Sequence, residues 1–315
     1  MTTEPTELAT TQQGGELVTA DERAELVALA TDGLDSPHSR RAYERAVLDF
    51  LAWWAGQGRP ALSKAVVQSY RAHLVDAGLA PATVNLRLAA IRKLATEAAD
   101  NALTDPTLAQ GVARVKGVRT AGTRTGNWLT REEAQELLQA PNLTRLKGLR
   151  DRAILAVLLG CGLRRSEVAA LTFDHIQQRE GRWVIVDLVG KGARVRTVPM
   201  PSWTKAAIDE WATAAAIESG CVFRPVRKDD ALSGESLSAQ AVADVVRAYG
   251  RELGHDRLAA HDLRRTFAKL AHNGGGDLAQ IGLSLGHASI RTTERYLGLE
   301  QDLTDAPCDH IGLRL

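Results

Sequence analysis

Cysteine is scarce in this sequence. Three residues, Cys161, Cys221 and Cys308, are scattered over 315 positions. An odd and widely spaced set gives neither a disulfide framework nor a CxxC metal site, and it fits a reducing cytoplasm. Long apolar runs are missing too. No stretch approaches the ~18 apolar residues of a membrane-spanning helix. The first fifteen residues are polar and acidic, without the basic start and apolar centre of a signal peptide. There is no GxxxxGK[ST] loop to cradle nucleotide phosphates and no carboxylate cluster of the kind that holds Mg²⁺. No internal repeat is visible.

What is present describes an ordinary globular chain. Hydrophobic residues make up 44% and charged residues 24%, so the chain can bury cores and is not disordered. At roughly 150 residues per domain the length suggests about two domains. The net charge of +1 is unevenly spread. Residues 1–35 hold one basic against eight acidic residues, and residues 36–120 hold twelve basic against six. A basic segment behind an acidic lead points towards nucleic acid.

The patterning divides the chain into an acidic N-terminal segment (1–35), a helical domain (36–110), a basic linker (111–127) and a second domain (128–315). In the lead, Thr19 with Glu22 forms a capping-box pattern before a short helix. Ser36-Pro37 reads as an N-cap with a first-turn proline, and Tyr43, Val47, Phe50, Leu51 and Trp54 follow at helical spacing. Ser63 opens a second helix and Pro81 a third, which carries Arg87, Arg92 and Lys93 on its outward side. Arg40 and Arg41 lie at the start of the first helix. These five are the candidate DNA-contacting residues. In the second domain, Thr130 with Glu133 is another capping box. An apolar helix over 148–160 ends at Gly160-Cys161-Gly162. A hairpin follows, with strands at 183–189 and 194–198 around Gly190-Lys191-Gly192. The remainder is helical, over about 202–216, 238–250, 261–272, 277–284 and 289–297. The fold class is therefore mainly α, with a small antiparallel β-hairpin or sheet in the second domain.

Four motifs carry chemistry. In Gly162-Leu-Arg164-Arg-Ser-Glu167 an arginine stands where one helix breaks and the next begins, beside exposed backbone N–H groups. Gly190-Lys191-Gly192 puts a lysine at a turn tip. In His261-Asp-Leu-Arg264 the i, i+3 spacing lets an imidazole and a guanidinium converge. His287, in Leu285-Gly-His-Ala-Ser289, precedes Tyr296 by nine residues, about 2.5 helical turns. An unbroken helix would separate the two, so the break at Gly286 matters. Taken singly, each motif also suits a solvated helix face or turn.

In this order and spacing the motifs resemble the tyrosine recombinase (phage integrase) family, over about residues 36–297. The resemblance implies a helical core-binding domain followed by an α+β catalytic domain, of the simple two-domain Xer, Cre or integron type. It places the catalytic groups on Arg164, Lys191, His261, Arg264, His287 and Tyr296, with Arg165 and Arg265 as the less favoured neighbours. It implies a site-specific recombinase in which Tyr296 attacks a DNA phosphate and forms a 3′-phosphotyrosine link, with Arg164 and Arg264 on the non-bridging oxygens and Lys191 as the acid. No metal, ATP or other cofactor is called for, because the bond energy stays in the protein–DNA ester. The expected partners are a double-stranded recombination site, three further copies in a homo-tetramer on two DNA sites, and an accessory directionality protein. The expected location is cytoplasmic, with the nucleoid when bound to DNA. A tail ending Ile311-Gly-Leu313-Arg-Leu315 is expected to dock on a neighbouring subunit. A type IB topoisomerase-like enzyme and a catalytically silent DNA-binding protein on the same fold are the alternatives.

Overall fold

The computed structural model describes residues 20–119, 127–190, 195–287 and 289–297. The chain forms two compact units, dividing between Thr123 and Arg124.

The first unit is all-helical. Its elements are α1 (Ala20–Thr31), α2 (Pro37–Gly56), α3 (Lys64–Asp76), α4 (Pro81–Asp100) and α5 (Pro106–Ala113). Three of the five begin with proline, whose fixed φ suits a first turn and whose missing N–H costs nothing there. Side-chain caps complete several starts: Ser36 accepts from the Ser39 N–H, Ser63 from Val66 and Asp105 from Thr107. Val47, Phe50, Val67, Tyr70, Val84, Leu88, Ile91 and Val112 form the core. Phe50 packs edge-on against Tyr70, with ring centres 5.1 Å apart.

This unit is larger than the sequence pattern suggested. The helix α1 packs on α2 and α4 and buries Ala30 completely, so residues from 20 onwards belong to the unit rather than to a separate acidic lead. Thr19 lies outside the described residues. At the other end Gly111 sits inside α5, where the linker was expected to begin. Asn85 then ties the following chain down, donating to the Val118 carbonyl oxygen and accepting from its N–H at 2.9 and 2.8 Å. Four glycines and no periodicity suggested a free connector, but one long-range amide pairing holds it as far as Val118.

The second unit contains α6 (Arg131–Gln139), α7 (Leu146–Cys161), α8 (Arg165–Ala169), a 3₁₀ turn (Phe173–His175), β1 (Ile176–Arg179), β2 (Arg182–Val189), β3 (Val195–Pro199), α9 (Ser202–Ala214), α10 (Ala239–Glu252), α11 (Ala260–Asn273), α12 (Leu278–Leu285) and α13 (Ile290–Leu297). The helix α7 is apolar on almost every side and is the axis of the core. The helices α6, α8, α9, α10 and α11 all pack on it. Its N-terminus has no cap of its own. Asp230, held at φ +65° in a distant loop, accepts from the Leu146 and Lys147 N–H groups at 2.8 and 3.1 Å. At the start of α6, Thr130 and Glu133 form the expected reciprocal capping box.

The sheet is antiparallel in the order β1-β2-β3. The strand β1 extends the expected hairpin to three strands. The last described pair, Val189 with Val195, leads into residues 191–194, which lie outside the described set. Two free thiols are described, Cys161 in the core and the half-buried Cys221. Among the described residues no helix is long and apolar enough to cross a membrane.

Candidate active site

Chain breaks position the first arginine. The helix α7 stops at Cys161 because Gly162 turns into the left-handed region at φ +60°. A Cβ there would lie 2.5 Å from the Phe267 ring, so glycine alone satisfies both the turn and the packing against α11. The chain then runs extended through Arg164 into α8. Glu167, one turn on, reaches back. It accepts from the Arg164 backbone N–H on Oε2 and from the Arg164 Nη1 on Oε1, both at 2.8 Å.

Arg264 enters from α11, and only 1% of its surface is exposed. Its Nη1 donates to the Gly162 carbonyl oxygen at 2.6 Å, and its Nη2 donates to the Leu285 carbonyl oxygen. Burial, then the charge of Arg164, push its pKa down to about 10, so the group remains a cation at neutral pH. His261 lies one turn earlier on α11, exposed as a residue but with its ring partly covered by Tyr296.

The helix α12 ends as α7 does, with Gly286 left-handed at φ +65°. The break frees His287 from the helix, and its Nδ1 lies 3.0 Å from Oγ1 of the buried Thr293 on α13. Tyr296, at the far end of α13, meets two imidazoles edge-on. Its ring centre is 5.6 Å from that of His261 and 5.2 Å from that of His287. The Arg265 guanidinium carbon lies 5.4 Å from the same ring centre. Among the described residues the buried Tyr296 hydroxyl has no hydrogen-bond partner. Burial raises its pKa, while Arg264 and then Arg265 work against the rise. No hydrogen bond of ordinary geometry joins the hydroxyl to Arg264.

The two histidines are held neutral. Burial, then Arg265 and Arg264, lower the pKa of His261. Burial, then Arg264 and Arg164, carry His287 down to about 4. Glu167 goes the opposite way to most buried carboxylates. Burial alone would raise it, but hydrogen bonds from Arg196 and from the Arg164 backbone bring it down to about 2.

Five of the six residues singled out in the sequence thus converge: Arg164, His261, Arg264, His287 and Tyr296. Lys191 lies outside the described residues. Of the two doubled arginines, Arg165 faces solvent, whereas Arg265 borders the tyrosine. The sequence motifs did not assign a role to Glu167, Arg196 or Thr293. Glu167 stood inside a quoted motif, and a charged residue in a strand with an apolar face was the only signal for Arg196.

In the first unit the five candidate DNA contacts divide. His38, Arg41, Arg45, Thr83, Leu86 and Arg87 line a groove of about 390 Å³ between α2 and α4. Arg41 is exposed there, while Arg87 also pairs with Asp49 at 2.7 Å. Arg40 donates through Nε to the Leu34 carbonyl oxygen at 2.6 Å. Arg92 donates to the Val115 carbonyl oxygen, and Lys93 pairs with Glu97 at 2.7 Å. The last two were expected on the outward side of the helix. Arg92 is tied to the Val115 carbonyl because the segment after α5 packs where helix periodicity leaves an open face, and Lys93 pairs with Glu97 one turn along its own helix.

Residues 127–302 match the phage integrase family, and residues 28–101 match the N-terminal SAM-like domain of phage integrases. A tyrosine recombinase XerC of Xylella fastidiosa (strain M23) is 31% identical over 269 residues, 84% of this chain and 87% of the relative. A XerC of Pelobacter propionicus is 30% identical over 285 residues, covering 89% and 91%. In three dimensions the chain resembles the XerH site-specific recombinase, solved bound to palindromic difH substrate in a post-cleavage complex. The TM-score is 0.66 at 20% identity, over 83% of this chain and 76% of that one.

Proposed function

The chain belongs to the phage integrase family and is a tyrosine site-specific recombinase, and on that premise we propose that Tyr296 is its nucleophile and Arg164, Arg264, His261, His287 and Lys191 its phosphate site. The observation that carries this is the Tyr296 hydroxyl, buried beside a buried guanidinium and without a hydrogen-bond partner among the described residues. A buried polar atom normally finds a hydrogen bond. One left empty next to fixed cations suits a group whose partner arrives with the substrate.

The chemistry then balances. The Tyr296 oxygen forms a bond to phosphorus as the bond to the 5′-oxygen breaks. The phenolic proton passes to His261, whose ring stands edge-on to the tyrosine. Arg164 and Arg264 neutralise charge on the non-bridging oxygens as the pentacoordinate state forms. Lys191 supplies the proton to the departing 5′-oxygen. His287, fixed by Thr293, donates to the phosphate through its other ring nitrogen. Attack by a 5′-hydroxyl on the phosphotyrosine reverses the steps and reseals a strand. One ester replaces another throughout, so no external energy source is needed.

Specific affinity would come from many phosphate contacts, among them Arg41, Arg45 and Arg87 around the groove of the first unit. Arg40, Arg92 and Lys93 are secondary candidates, being already engaged. The working assembly would be a homo-tetramer on two DNA sites, with residues 298–315 reaching a neighbouring copy and an accessory protein setting direction. The protein would act in the cytoplasm, on the nucleoid. The test is a duplex that the protein selects from a random pool, nicked beside the scissile phosphate so that the short strand diffuses away. A recombinase leaves an SDS-resistant adduct on it. A silent DNA-binding protein leaves none.

A further inference from the structure

Arg196 makes three hydrogen bonds to two partners. It stands on β3, and its side chain is only 9% exposed. Nη1 donates to Glu167 Oε1 at 2.9 Å and Nη2 to Glu167 Oε2 at 2.8 Å, a two-pronged pairing. Its Nε donates to the Ser284 carbonyl oxygen at 2.9 Å, at the end of α12. The next residue, Leu285, provides the carbonyl that Arg264 uses. Room for this side chain depends on the same chain break that frees His287: a Cβ on Gly286 would lie 3.0 Å from Arg196 Cδ.

The division of Glu167 between two arginines has a chemical consequence. A carboxylate prefers a guanidinium fork-to-fork, because two parallel N–H donors match its two oxygens. Arg196 occupies that mode. Arg164 is left with one side-chain contact to Glu167, through Nη1. Among the described residues none of its other side-chain N–H donors makes a hydrogen bond, and the group stays 34% exposed. Without Arg196 the same carboxylate could turn and take Arg164 in the two-pronged mode, drawing its charge away from a substrate.

We propose that Arg196 is a positioning residue of the recombination site: by occupying Glu167 it keeps the Arg164 guanidinium available to the scissile phosphate, and by its bond to Ser284 it fixes that clamp to the end of α12, where the Leu285 carbonyl accepts from Arg264 and His287 follows. This rests on the reading of Arg164 as a phosphate-holding group. It assigns a task to a strand residue that touches no substrate.

The experiment is single-turnover adduct formation on the nicked, self-selected duplex at saturating protein. The proteins are wild type, Arg196→Ala, Arg196→Lys, Glu167→Gln with Arg196→Ala, and Arg164→Ala with and without Arg196→Ala. DNA affinity and melting are measured alongside. Arg196→Ala is expected to slow adduct formation roughly 10–100-fold, as partners that orient active groups do elsewhere, with affinity held within about threefold. Arg196→Lys should also be slow, since a lysine keeps the charge and loses the fork. Adding Glu167→Gln should recover a large part of the loss, because the competing carboxylate is gone. In the Arg164→Ala background Arg196→Ala should cost much less than it does alone, leaving only the share that passes through Ser284. A role confined to folding predicts the opposite: the double variant as slow as Arg196→Ala or slower, and additive losses with Arg164→Ala. Either result overturns the proposal, as does an Arg196→Ala protein that reacts at the wild-type rate. If Arg196→Ala shows no cooperative melting, Arg196→Lys is judged by the same criteria. Failure of the wild type to form an adduct would instead overturn the active-site reading itself.

Discussion

Arg264 and Gly162 are joined at 2.6 Å by a hydrogen bond that spans about a hundred residues of chain. The cation assigned to the phosphate is therefore also a strut. It lies in the core of the second unit and satisfies the carbonyl groups where both α7 and α12 end.

The two arginines should differ accordingly when removed. Arg264→Ala strips a donor from two backbone carbonyls and leaves a void. A loss of about 3 kcal/mol in unfolding free energy is expected. Arg164→Ala removes a partly exposed group and should stay within about 1 kcal/mol. Both should lower adduct formation by a factor of about 100–1,000, if each acts like a lost oxyanion donor. Denaturant titration beside the adduct assay separates these effects. Equal destabilisation by the two variants would contradict the strut.

Tyr296→Phe deletes only a hydroxyl. It should bind DNA within a few-fold of wild type and form no adduct. Because the hydroxyl is buried and has no partner among the described residues, its removal should also raise stability by up to about 1 kcal/mol. An SDS-resistant adduct in this variant would shift the nucleophile to Tyr43, Tyr70 or Tyr249.

The imidazole of His287 makes stability depend on pH. In an unfolded chain a histidine titrates at about 6.5, and in the folded protein this one titrates at about 4. Above pH 6.5 neither state holds the proton and the native state is undisturbed. As pH falls from 6.5 to 4 the unfolded chain takes up a proton that the native site refuses, and stability is lost. The loss is roughly 2 kcal/mol after allowance for solvent screening. Glu167, held at about 2, adds a separate loss only below its ordinary value of about 4.5. Unfolding free energies of wild type and His287→Asn at pH 7 and pH 4.5 check this. The wild type should lose more across that interval, and parallel curves would refute the assignment.

In the first unit, Arg41→Glu with Arg45→Glu should weaken DNA binding and flatten the dependence of log affinity on log salt by about two. Lys93→Glu, whose lysine already has a carboxylate partner, should leave the slope unchanged. Binding isotherms at four salt concentrations decide between them. An unaltered slope in the double variant would make the groove an ordinary solvated face.

Much of this was legible in one dimension because its causes are local. Ser36, Ser63 and Thr130 cap helices where their spacing to the following residues says they should. Gly162 and Gly286 end helices because of their own backbone freedom, and the motifs around them place Arg164 and His287. What was not legible depends on distant partners. The strand β1 is four residues long and mostly exposed, so it has no periodicity to read, and only pairing with β2 makes it a strand. Arg196 looks like any strand arginine until Glu167 and Ser284 are brought to it from two other elements. Arg92 sits on the polar side of an amphipathic helix and still turns inward, because the Val115 carbonyl arrives from a segment that pattern alone leaves free.

Asp230 caps α7 from 84 residues further along the chain. The helix that leads to Arg164 is therefore unfinished while the ribosome has yet to reach that aspartate, and its exposed N–H groups must wait on water. The remaining parts come later still, with His261, Arg264, His287 and Tyr296 in order towards the end. If Tyr296 is the nucleophile, a product of interrupted synthesis can hold the first unit and Arg164 yet has nothing with which to cut. On that reading, the order of these residues along the nascent chain denies an incomplete protein the means to break DNA that it could not reseal.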